Sequence, residues 1–516
     1  MSIRRIAKLF AAQNAAQVVT MLTQILLPPA FLRVMGADLY GQWLTLSASV
    51  AYLSTLHCGP QTYANMQMAI EYNRGEIKEC QQIQSGAMRI MLGAMGLTAF
   101  LMAVVFLLPV DQWLNLSISL REAQWTLYFL GLQVLVSMIF GFFTGSYLVF
   151  QEAHRGANYG NLNNLITLGV VLALVLLREP FPVLAAIPAV TSAVFTVWVV
   201  IDLGKRCPDL RPTLRHWRPG LFKQIAKPSF EYTLITTTNL LSYQLPIILI
   251  NKILGPTMVT IYSVSRTVYS MSRRVLTVIS NSIGAEITTM YGGEDWSKLG
   301  KLYDLSERIV LMLTPAMAFG TMLATPLLLH IWLEHGKIHS ASIYHPGICL
   351  GLGLIISMLG IKEHKNQFLY SANKIVSLAW QTFGTYSVMI VLTLLLLPRF
   401  GMQGFLIPWL LAETFLVLYA LHKTDQLFAD HVLINHRPVY VMFAIMAICA
   451  ALIDWPLHHI VALPYLAQGA IAISVALMMI VLCYKIFEVD ALREMLWAKL
   501  SARMPRLTQK LHRKSL

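Results

Sequence analysis

Charged residues are scarce in this chain. Asp, Glu, Lys and Arg make up only 12% of its 516 residues, about half the ~25% of an ordinary soluble protein. Hydrophobic residues make up 56%, and the mean hydropathy is +0.61. A soluble fold of this length would need more polar surface than this composition supplies. The scarcity excludes a cytosolic enzyme, a secreted domain and a disordered scaffold, and it indicates a chain that lies mostly in lipid.

Motifs for metal binding and nucleotide hydrolysis are missing as well. The six cysteines are scattered, with no C-x-x-C pair and no Cys/His cluster, so neither a disulfide framework nor a zinc site is expected. No G-x-x-x-x-G-K-[ST] motif is present, which excludes a nucleotide-driven pump. No loop between the apolar segments is long enough for a soluble domain. We therefore expect no cofactor.

Long apolar runs dominate the rest of the sequence. A spanning helix needs ~20 mostly apolar residues, and this rule gives fourteen candidates. We expect them at residues 9–33, 39–68, 88–110, 122–150, 158–178, 182–203, 228–251, 257–286, 308–333, 346–371, 375–398, 402–422, 438–456 and 464–486. None alternates at period two over ~10 residues, which disfavours a β-barrel. The sequence predicts an all-α polytopic membrane protein with about 14 transmembrane helices, of which the second and eighth are polar enough to escape a hydropathy window.

The net charge of +14 has an asymmetric distribution. With the N-terminus placed in the cytoplasm, 30 of the 39 Lys and Arg residues fall in cytoplasmic segments, 6 in outer loops and 3 inside the eighth helix. Such a bias is a membrane topology signal, so we predict that both termini are cytoplasmic and that no nucleic acid is bound. The apolar N-terminal stretch is too long for a signal peptide and is predicted to be an uncleaved first helix.

Two parts of the chain repeat each other at an offset of 219 residues. Arg33-Val34-Met35-Gly36 reappears as Lys252-Ile253-Leu254-Gly255. Six helices separate the copies, and because six is even, the two halves insert with the same orientation as a parallel repeat. We predict a six-helix N-lobe with a basic loop at 1–227, a six-helix C-lobe at 228–430, and an extra helix pair with a basic tail at 431–516. A central cavity between the lobes is the expected consequence.

The repeated turns also carry a family resemblance. The matching residues are Gly36-Ala37-Asp38-Leu39-Tyr40-Gly41-Gln42-Trp43, Cys58-Gly59-Pro60, Leu254-Gly255-Pro256 and Val259-Thr260-Ile261-Tyr262. With these motifs, roughly residues 5–425 resemble the Wzx-type O-antigen and polysaccharide flippases of the multidrug/oligosaccharidyl-lipid/polysaccharide (MOP) exporter superfamily. Cys58 departs from the pattern, because a small apolar residue is expected beside the glycine.

The resemblance implies a function. Such a protein would be a multi-pass transporter of the bacterial inner membrane. It would move an undecaprenyl-pyrophosphate-linked oligosaccharide between leaflets by alternating access, for lipopolysaccharide, O-antigen or another surface polysaccharide. Its partners would be the lipid-linked oligosaccharide, membrane lipids and polysaccharide assembly proteins.

Three arginines inside the predicted eighth helix are candidates for cargo binding. Charges at membrane depth are costly and normally face a cavity or a partner. Arg266 lies near mid-bilayer, and Arg273 follows two turns later on nearly the same face, with Arg274 beside it. Because guanidinium groups bind a diphosphate bidentately, we predict that all three bind the pyrophosphate. The alternative is that Arg273 and Arg274 are snorkelling anchors at the cytoplasmic interface.

Polar residues in three other predicted helices also need an explanation. Glu413 lies in the middle of an apolar run, where it would carry a coupling proton or Na⁺, pair with a cavity arginine, or stay protonated and form a hydrogen bond at a helix contact. Gln17 and Gln24 in the first helix, with Asn239 and Tyr243 in the seventh, would offer amide and hydroxyl groups to sugar. Their alternative role is hydrogen bonding between helices.

One charged segment is predicted to have no role in cargo binding. Lys362-Glu363-His364-Lys365 closes the inner part of the tenth predicted helix. These residues would meet the pyrophosphate at the cytoplasmic mouth, or they would form a solvated helix end. We favour the solvated end.

Other functions make different demands on the sequence. A MATE-like exporter of cationic drugs would need acidic residues in the N-lobe, where the first two helices offer only amides and hydroxyls. A lipid II flippase is a close relative of the favoured function. A glycan polymerase or ligase would need a large outer loop with Arg or His, and the longest such loop spans only 334–345. We therefore expect a transporter of an anionic cargo and not an enzyme.

Overall fold

The described part of the protein is almost entirely helical. The structure, a computed structural model, describes residues 3–54, 61, 64–65, 67–69, 71–72, 74–208, 213–216, 220, 237–238, 240–333, 342–372, 376–429 and 431–487. Within these ranges no strand is assigned. The α-helices in them are α1 (Ile3–Val34), α2 (Ala37–Ala51), α3 (Ile77–Ala103), α4 (Val110–Trp113), α5 (Leu120–Ser146), α6 (Ala153–Leu176), α7 (Phe181–Arg206), α8 (Leu245–Leu254), α9 (Pro256–Ser282), α10 (Gly284–Gly292), α11 (Trp296–Leu333), α12 (Pro346–Ser371), α13 (Val376–Phe400), α14 (Gln403–Phe428), α15 (Arg437–His459) and α16 (Tyr465–Ile486).

Eleven helical segments of the described chain are long and apolar enough to cross a membrane. They correspond to all or most of α1, α3, α5, α6, α7 and α11 to α16. A shorter apolar helix spans Leu240–Leu254. The 27-residue α9 is long enough but too polar to count among the eleven, as predicted for the eighth helix. The predicted second helix includes α2 and continues into residues outside the described ranges. The prediction of an all-α, multi-pass membrane protein is confirmed.

One helix begins much earlier than predicted. We expected a loop up to residue 307, whereas α11 starts at Trp296. The backbone N–H of Lys298 donates to the Asp295 carboxylate at 3.3 Å, and the Lys298 ammonium donates to it at 2.6 Å. The Lys298 hydrogen bonds lower the pKa of Asp295, so the carboxylate stays ionised and supports the helix N-terminus. The charged residues after Asp295 suggest a loop, but Leu299 and Tyr303 are both buried. They lie four positions apart, which is the spacing of one face of a helix.

The described residues form two compact units, and the first contains most of the N-terminal half. Unit 1 comprises the described parts of Met1–Val264, Trp332–His339 and Thr382–Gly401. In it α5 packs along α7, and α1 packs along α6. Asn163 donates to Ser192 at 3.2 Å and Tyr147 donates to Asp202 at 2.5 Å. Hydrogen bonds of this kind join apolar helices where lipid offers no hydrophobic driving force.

Unit 2 is organised around α12. It comprises the described parts of Ser265–Ile331, Ser340–Gln381 and Met402–Leu516. The neighbours of α12 in this unit include α10, α14 and α15. Most residues of α12 are buried, including Lys362 and Lys365. Because buried charges must be paired or hydrogen-bonded, this helix requires charged partners on its neighbours. The predicted lobe boundaries at 227 and 430 stay a prediction.

Contacts between loops in unit 1 agree with the predicted alternation of sides. Arg89 donates to the carbonyl of Leu214 at 2.6 Å, and both residues belong to predicted inner segments. Lys252 donates to the carbonyl of Gln112 at 3.0 Å, and both belong to predicted outer segments. Unit 1 therefore brings together loops that the charge bias assigns to one side.

Contacts in unit 2 also join segments that are predicted to lie on the same side of the membrane. Arg308 donates to the carbonyl of Phe487 at 2.8 Å, which joins two predicted inner segments. Tyr344 donates to the carbonyl of Leu457 at 2.8 Å, which joins two predicted outer loops. The assignment of the inner side to the cytoplasm stays a prediction from the charge bias.

Candidate functional site

The three predicted arginines lie on α9, in the part that belongs to unit 2. Arg266, Ser270, Arg273 and Thr277 are separated by four, three and four positions, so they lie on one face of the helix. All four side chains are half-buried. We call these four residues the arginine stripe. Arg274 lies beside the stripe and is also half-buried.

Contacts with α11 fix the rotation of α9 about its axis. The hydroxyl of Ser272 donates to the carbonyl of Met317 at 3.2 Å and accepts a hydrogen bond from Thr321 at 2.8 Å. Thr325 donates to the hydroxyl of the fully buried Tyr269 at 3.3 Å. These bonds define the buried face of α9, and the helical periodicity places the arginine stripe along its edge.

A third face of α9 is exposed and apolar. Val275 and Val278 are exposed, and at 100° per residue they point more than 100° away from Arg273 or Arg266 on the helix circumference. An exposed valine face suits hydrocarbon, whereas arginine does not. The charged stripe and the apolar face are therefore separate surfaces of the same helix.

Glu363 of α12 contacts the arginine stripe directly. Its Oε1 lies 3.2 Å from the Nη1 of Arg273. Its Oε2 accepts a hydrogen bond from the hydroxyl of Thr277 at 2.6 Å. The Arg273 and Glu363 side chains are 25% and 26% exposed, so the ion pair is partly buried and partly accessible to solvent.

Glu363 belongs to a charged segment that contacts three helices. We call Lys362–Lys365 the KEHK segment. Its contacts are Lys362 with Glu413 of α14, Glu363 with Arg273 of α9, His364 with Ser306 of α11, and Lys365 with Glu307 of α11. Successive helix residues are rotated by about 100°, so four of them reach neighbours all around α12.

The contact with α14 contains the predicted coupling residue. Glu413 is completely buried. Its carboxylate accepts a hydrogen bond from Lys362 Nζ at 2.5 Å and another from Trp409 Nε1 at 3.0 Å. Glu413 therefore forms a buried ion pair, and Lys362 is a partner that the sequence did not identify.

The contacts with α11 are also buried. The ammonium of Lys365 donates to Glu307 and to the hydroxyl of Tyr303. It also lies 4.3 Å from the centroid of the Tyr303 ring, a distance at which the ring attracts a cation. His364 and Ser306 are hydrogen-bonded at 2.8 Å, so the buried polar side chains in this cluster are paired.

The favoured prediction of a solvated helix end at the KEHK segment is therefore wrong. Lys362 is 8% exposed, and His364 and Lys365 are each 1% exposed. The physical reason is the early start of α11, which places Glu307 beside α12 instead of in a loop. Tyr303 and Glu307 lie four residues apart, and this one-face spacing was the available signal for them.

The predicted amide and hydroxyl residues lie in unit 1. Gln17 on α1 is exposed, whereas Gln24 on the same helix is half-buried. Tyr243, which precedes α8, is half-buried. Asn239 lies outside the described residues. The binding of sugar by these side chains stays a prediction, as does the binding of pyrophosphate by Arg266, Arg273 and Arg274.

No metal site is evident in the described part of the chain. Within those ranges there is no group of three or more His, Cys, Asp or Glu side chains that is arranged to hold a metal ion.

Comparison of sequences gives no match, whereas comparison of structures gives several. No protein-family model matches the sequence, and no curated protein matches it either. The lipid II flippase MurJ, in an inward closed conformation, matches with a TM-score of 0.67 at 12% identity, over 94% of this chain and 99% of MurJ.

Two multidrug transporters also match. An inward-facing MATE-family multidrug resistance transporter of the MOP superfamily has a TM-score of 0.62 at 12% identity, over 81% of this chain and 96% of its own. The MATE multidrug transporter DinF-BH has a TM-score of 0.55 at 13% identity, over 83% of this chain and 96% of its own. This chain therefore has the fold of the transporters of the MOP superfamily.

Proposed function

We propose that the chain moves an undecaprenyl-pyrophosphate-linked oligosaccharide across the bacterial inner membrane by alternating access, for lipopolysaccharide, O-antigen or another surface polysaccharide. The arginine stripe is the observation that carries this proposal. Support comes also from the fold, which the chain shares with a protein described as a lipid II flippase. We further expect both termini to be cytoplasmic and the protein to work beside other polysaccharide assembly proteins.

The stripe suits an anionic cargo for electrostatic reasons. A charged side chain facing hydrocarbon is costly, so the half-buried Arg266 and Arg273 require an aqueous or anionic environment. Guanidinium groups present a planar fork that matches phosphate oxygens. Two of them, two turns apart on one helix face, suit the several oxygens of a diphosphate better than a single small anion.

The carboxylates in the KEHK segment and in contact with it do not favour a cationic cargo. Glu363 pairs with Arg273, Glu413 with Lys362, and Glu307 with Lys365. An exporter of cations needs a carboxylate whose charge the cargo neutralises. In these three pairs a basic side chain of the protein already does so.

Energy for transport is proposed to come from a proton or sodium gradient through Glu413. An acid inside the membrane is a functional candidate by default. Through its contact with Lys362, the charge of Glu413 acts on α12, and Glu363 of the same helix contacts the arginine stripe. Loading an ion on Glu413 would weaken this pair and allow α12 to move relative to α14.

The proposal is tested by complementation of a strain that lacks its own flippase for a surface polysaccharide. Arg266→Ala should abolish or strongly reduce the polysaccharide at normal membrane abundance, because a charge-assisted hydrogen bond contributes about 1.5–3 kcal/mol. Arg266→Lys should retain part of the activity, since the charge remains and the bidentate fork does not. Arg399→Ala, which removes an exposed arginine of unit 1, is the matched control.

Two results would contradict the proposal. Full complementation by Arg266→Ala would remove Arg266 from the site. Resistance to a cationic dye in cells that express the unchanged protein, without any polysaccharide phenotype, would indicate a drug exporter. Abundance is followed by immunoblotting of membranes in every strain.

A further inference from the structure

Two neighbouring helices of unit 1, α6 and α7, carry an exposed apolar surface. The two helices contact each other, and the rings of Tyr159 and Trp198 lie 5.7 Å apart across the contact. The exposed apolar side chains are Leu162, Ile166, Val194, Trp198 and Ile201. We call these five residues the α6–α7 surface. Since both helices are apolar enough to span a membrane, this surface suits the acyl chains of lipids.

Lys205 lies where the α7 part of this surface ends, at the predicted inner side of the membrane. It follows Ile201 by four positions and Trp198 by seven, which is the spacing of one helix face. Its side chain is exposed. A lysine that follows an apolar helix face extends its ammonium group to the level of the lipid headgroups.

Arg155 has the same relation to the α6 part of the surface. It precedes Leu162 by seven positions and Ile166 by eleven, so it lies on their face of the helix. Its Nε is 2.9 Å from Oε2 of Glu152, and the Nη1 of Arg206 on α7 is 3.5 Å from the same oxygen. The shared carboxylate therefore holds the inner ends of the two helices together.

The charges at this end of α6 and α7 do not balance. Lys205, Arg155 and Arg206 are basic, whereas Glu152 and Asp202 are acidic. Both carboxylates have arginine partners, because Arg206 also lies 2.9 Å from Asp202. Within the described part of the chain, no ion pair contains Lys205. Three basic groups against two carboxylates leave one positive charge at the level of the headgroups.

We propose that the α6–α7 surface binds an anionic phospholipid of the inner leaflet, with its acyl chains on the apolar side chains and its phosphodiester at Lys205. One unmatched positive charge suits a headgroup with one negative charge. A zwitterionic phospholipid binds less well, because its own cationic group neutralises the phosphodiester. The surface contains no residue of the arginine stripe, so this inference is independent of the proposed function.

Trp198 is a natural reporter for this lipid, because it belongs to the surface and lies two turns from Lys205. The full-length protein is reconstituted into nanodiscs of equimolar phosphatidylglycerol and phosphatidylcholine. Only one of the two lipids carries bromine in its acyl chains, and bromine quenches indole fluorescence on contact. The contribution of Trp198 is the signal of the unchanged protein minus that of Trp198→Phe. We expect brominated phosphatidylglycerol to quench Trp198 more strongly, with a preference of about fivefold for one basic group at the headgroup level.

Three variants test the role of Lys205, each measured with its own Trp198→Phe counterpart. Lys205→Gln should remove the preference, and Lys205→Arg should keep it because the charge remains. Lys301→Gln is the matched control, since it removes an exposed lysine of unit 2 at the predicted inner side. It should leave the preference unchanged. Lys205 is exposed, so its replacement should not change the thermal midpoint.

Three results would overturn the inference. The first is equal quenching of Trp198 by the two brominated lipids in the unchanged protein. The second is a preference that persists in full in Lys205→Gln. The third is an equal loss of preference in Lys205→Gln and Lys301→Gln, because the lipid would then respond to the charge of the whole inner surface and not to this site.

Discussion

Gly36 and Gly255 lie 219 residues apart and adopt almost the same backbone conformation, with φ 91° and ψ 173° at the first and φ 89° and ψ 168° at the second. Each glycine separates two consecutive helices, α1 from α2 and α8 from α9. This region of φ and ψ is essentially restricted to glycine. The sequence repeat at this turn is therefore also a repeat of backbone geometry.

The two repeated turns also contact each other in a reciprocal way within unit 1. Thr260 donates from its hydroxyl to the carbonyl of Ala37 at 2.6 Å. Gly41 lies against the carbonyl of Pro256. The 219-residue offset makes Ala37 equivalent to Pro256 and Gly41 equivalent to Thr260. A contact in which equivalent positions exchange roles is the signature of a local two-fold relation.

Replacing either turn glycine by alanine should destabilise the protein through its backbone alone. A Cβ at Gly36 or Gly255 would meet no atom within 4 Å, so no clash is expected. The cost is the strain of this conformation, about 1–3 kcal/mol for a non-glycine residue. Gly36→Ala and Gly255→Ala should lower the thermal midpoint in detergent by similar amounts. Gly93→Ala, at an open helical position, should leave it unchanged or raise it; equal effects at all three positions would contradict the argument.

Gly41→Ala should act by a different mechanism, and its effect should be larger. The new Cβ would overlap the Pro256 carbonyl, so the two turns must separate. Thr260→Val removes only the hydrogen bond to Ala37, worth about 0.5–1.5 kcal/mol. The thermal midpoint of Gly41→Ala should therefore be lower than that of Thr260→Val. Gly169→Ala is the neutral control, because a Cβ at Gly169 would meet no atom within 4 Å. A neutral Gly41→Ala would show that this contact is not close in the protein.

The fold could be predicted because its signals are local or additive. Apolar runs of about twenty residues define spanning helices one at a time, and the charge bias sums over many loops. The repeat at Gly36 and Gly255 was visible because glycine is the residue that this backbone conformation requires. None of these signals requires knowledge of which helix faces meet in the folded protein.

The charged network could not be predicted because it depends on which helix faces meet. Glu413 was identified from its apolar surroundings, but its partner Lys362 is 51 residues away. Lys365 and Glu307 are 58 residues apart. A hydropathy scan places Lys362, Lys365 and Glu307 at helix ends or in loops, where charges are normally solvated. Only the packing of α11, α12 and α14 shows that they neutralise one another.

The predicted sidedness can be measured with a membrane-impermeant maleimide. Lys301 and Asn435 line one cavity of ≈ 480 Å³ in unit 2, and both are exposed. Lys252 in unit 1 is exposed and belongs to a predicted outer loop. In intact cells Lys252→Cys should be labelled, whereas Lys301→Cys and Asn435→Cys should be labelled only after permeabilisation. The parent protein gives the background, and labelling of Lys301→Cys and Asn435→Cys from opposite sides would contradict the architecture of unit 2.

The Glu413–Lys362 pair allows a structural role to be separated from a coupling role. Removing one partner leaves a buried charge uncompensated, which costs about 3–5 kcal/mol. Glu413→Gln alone and Lys362→Met alone should therefore both lower membrane abundance. The double variant Glu413→Gln/Lys362→Met has no unpaired charge, so its abundance should recover. This recovery is measured by membrane immunoblotting and is expected whatever the pair does in transport.

Transport by the double variant then decides whether Glu413 loads the coupling ion. An acid can carry a proton or Na⁺ only if its charge state changes during the cycle, and glutamine cannot do this. If Glu413 is the coupling residue, the proposed flipping of a lipid-linked oligosaccharide should, in vesicles, no longer respond to an imposed proton or sodium gradient. Glu307→Gln/Lys365→Met removes a second buried pair that involves α12 and should keep the gradient response. A normal gradient response in Glu413→Gln/Lys362→Met would leave the pair a purely structural role, because the ion would then be loaded elsewhere.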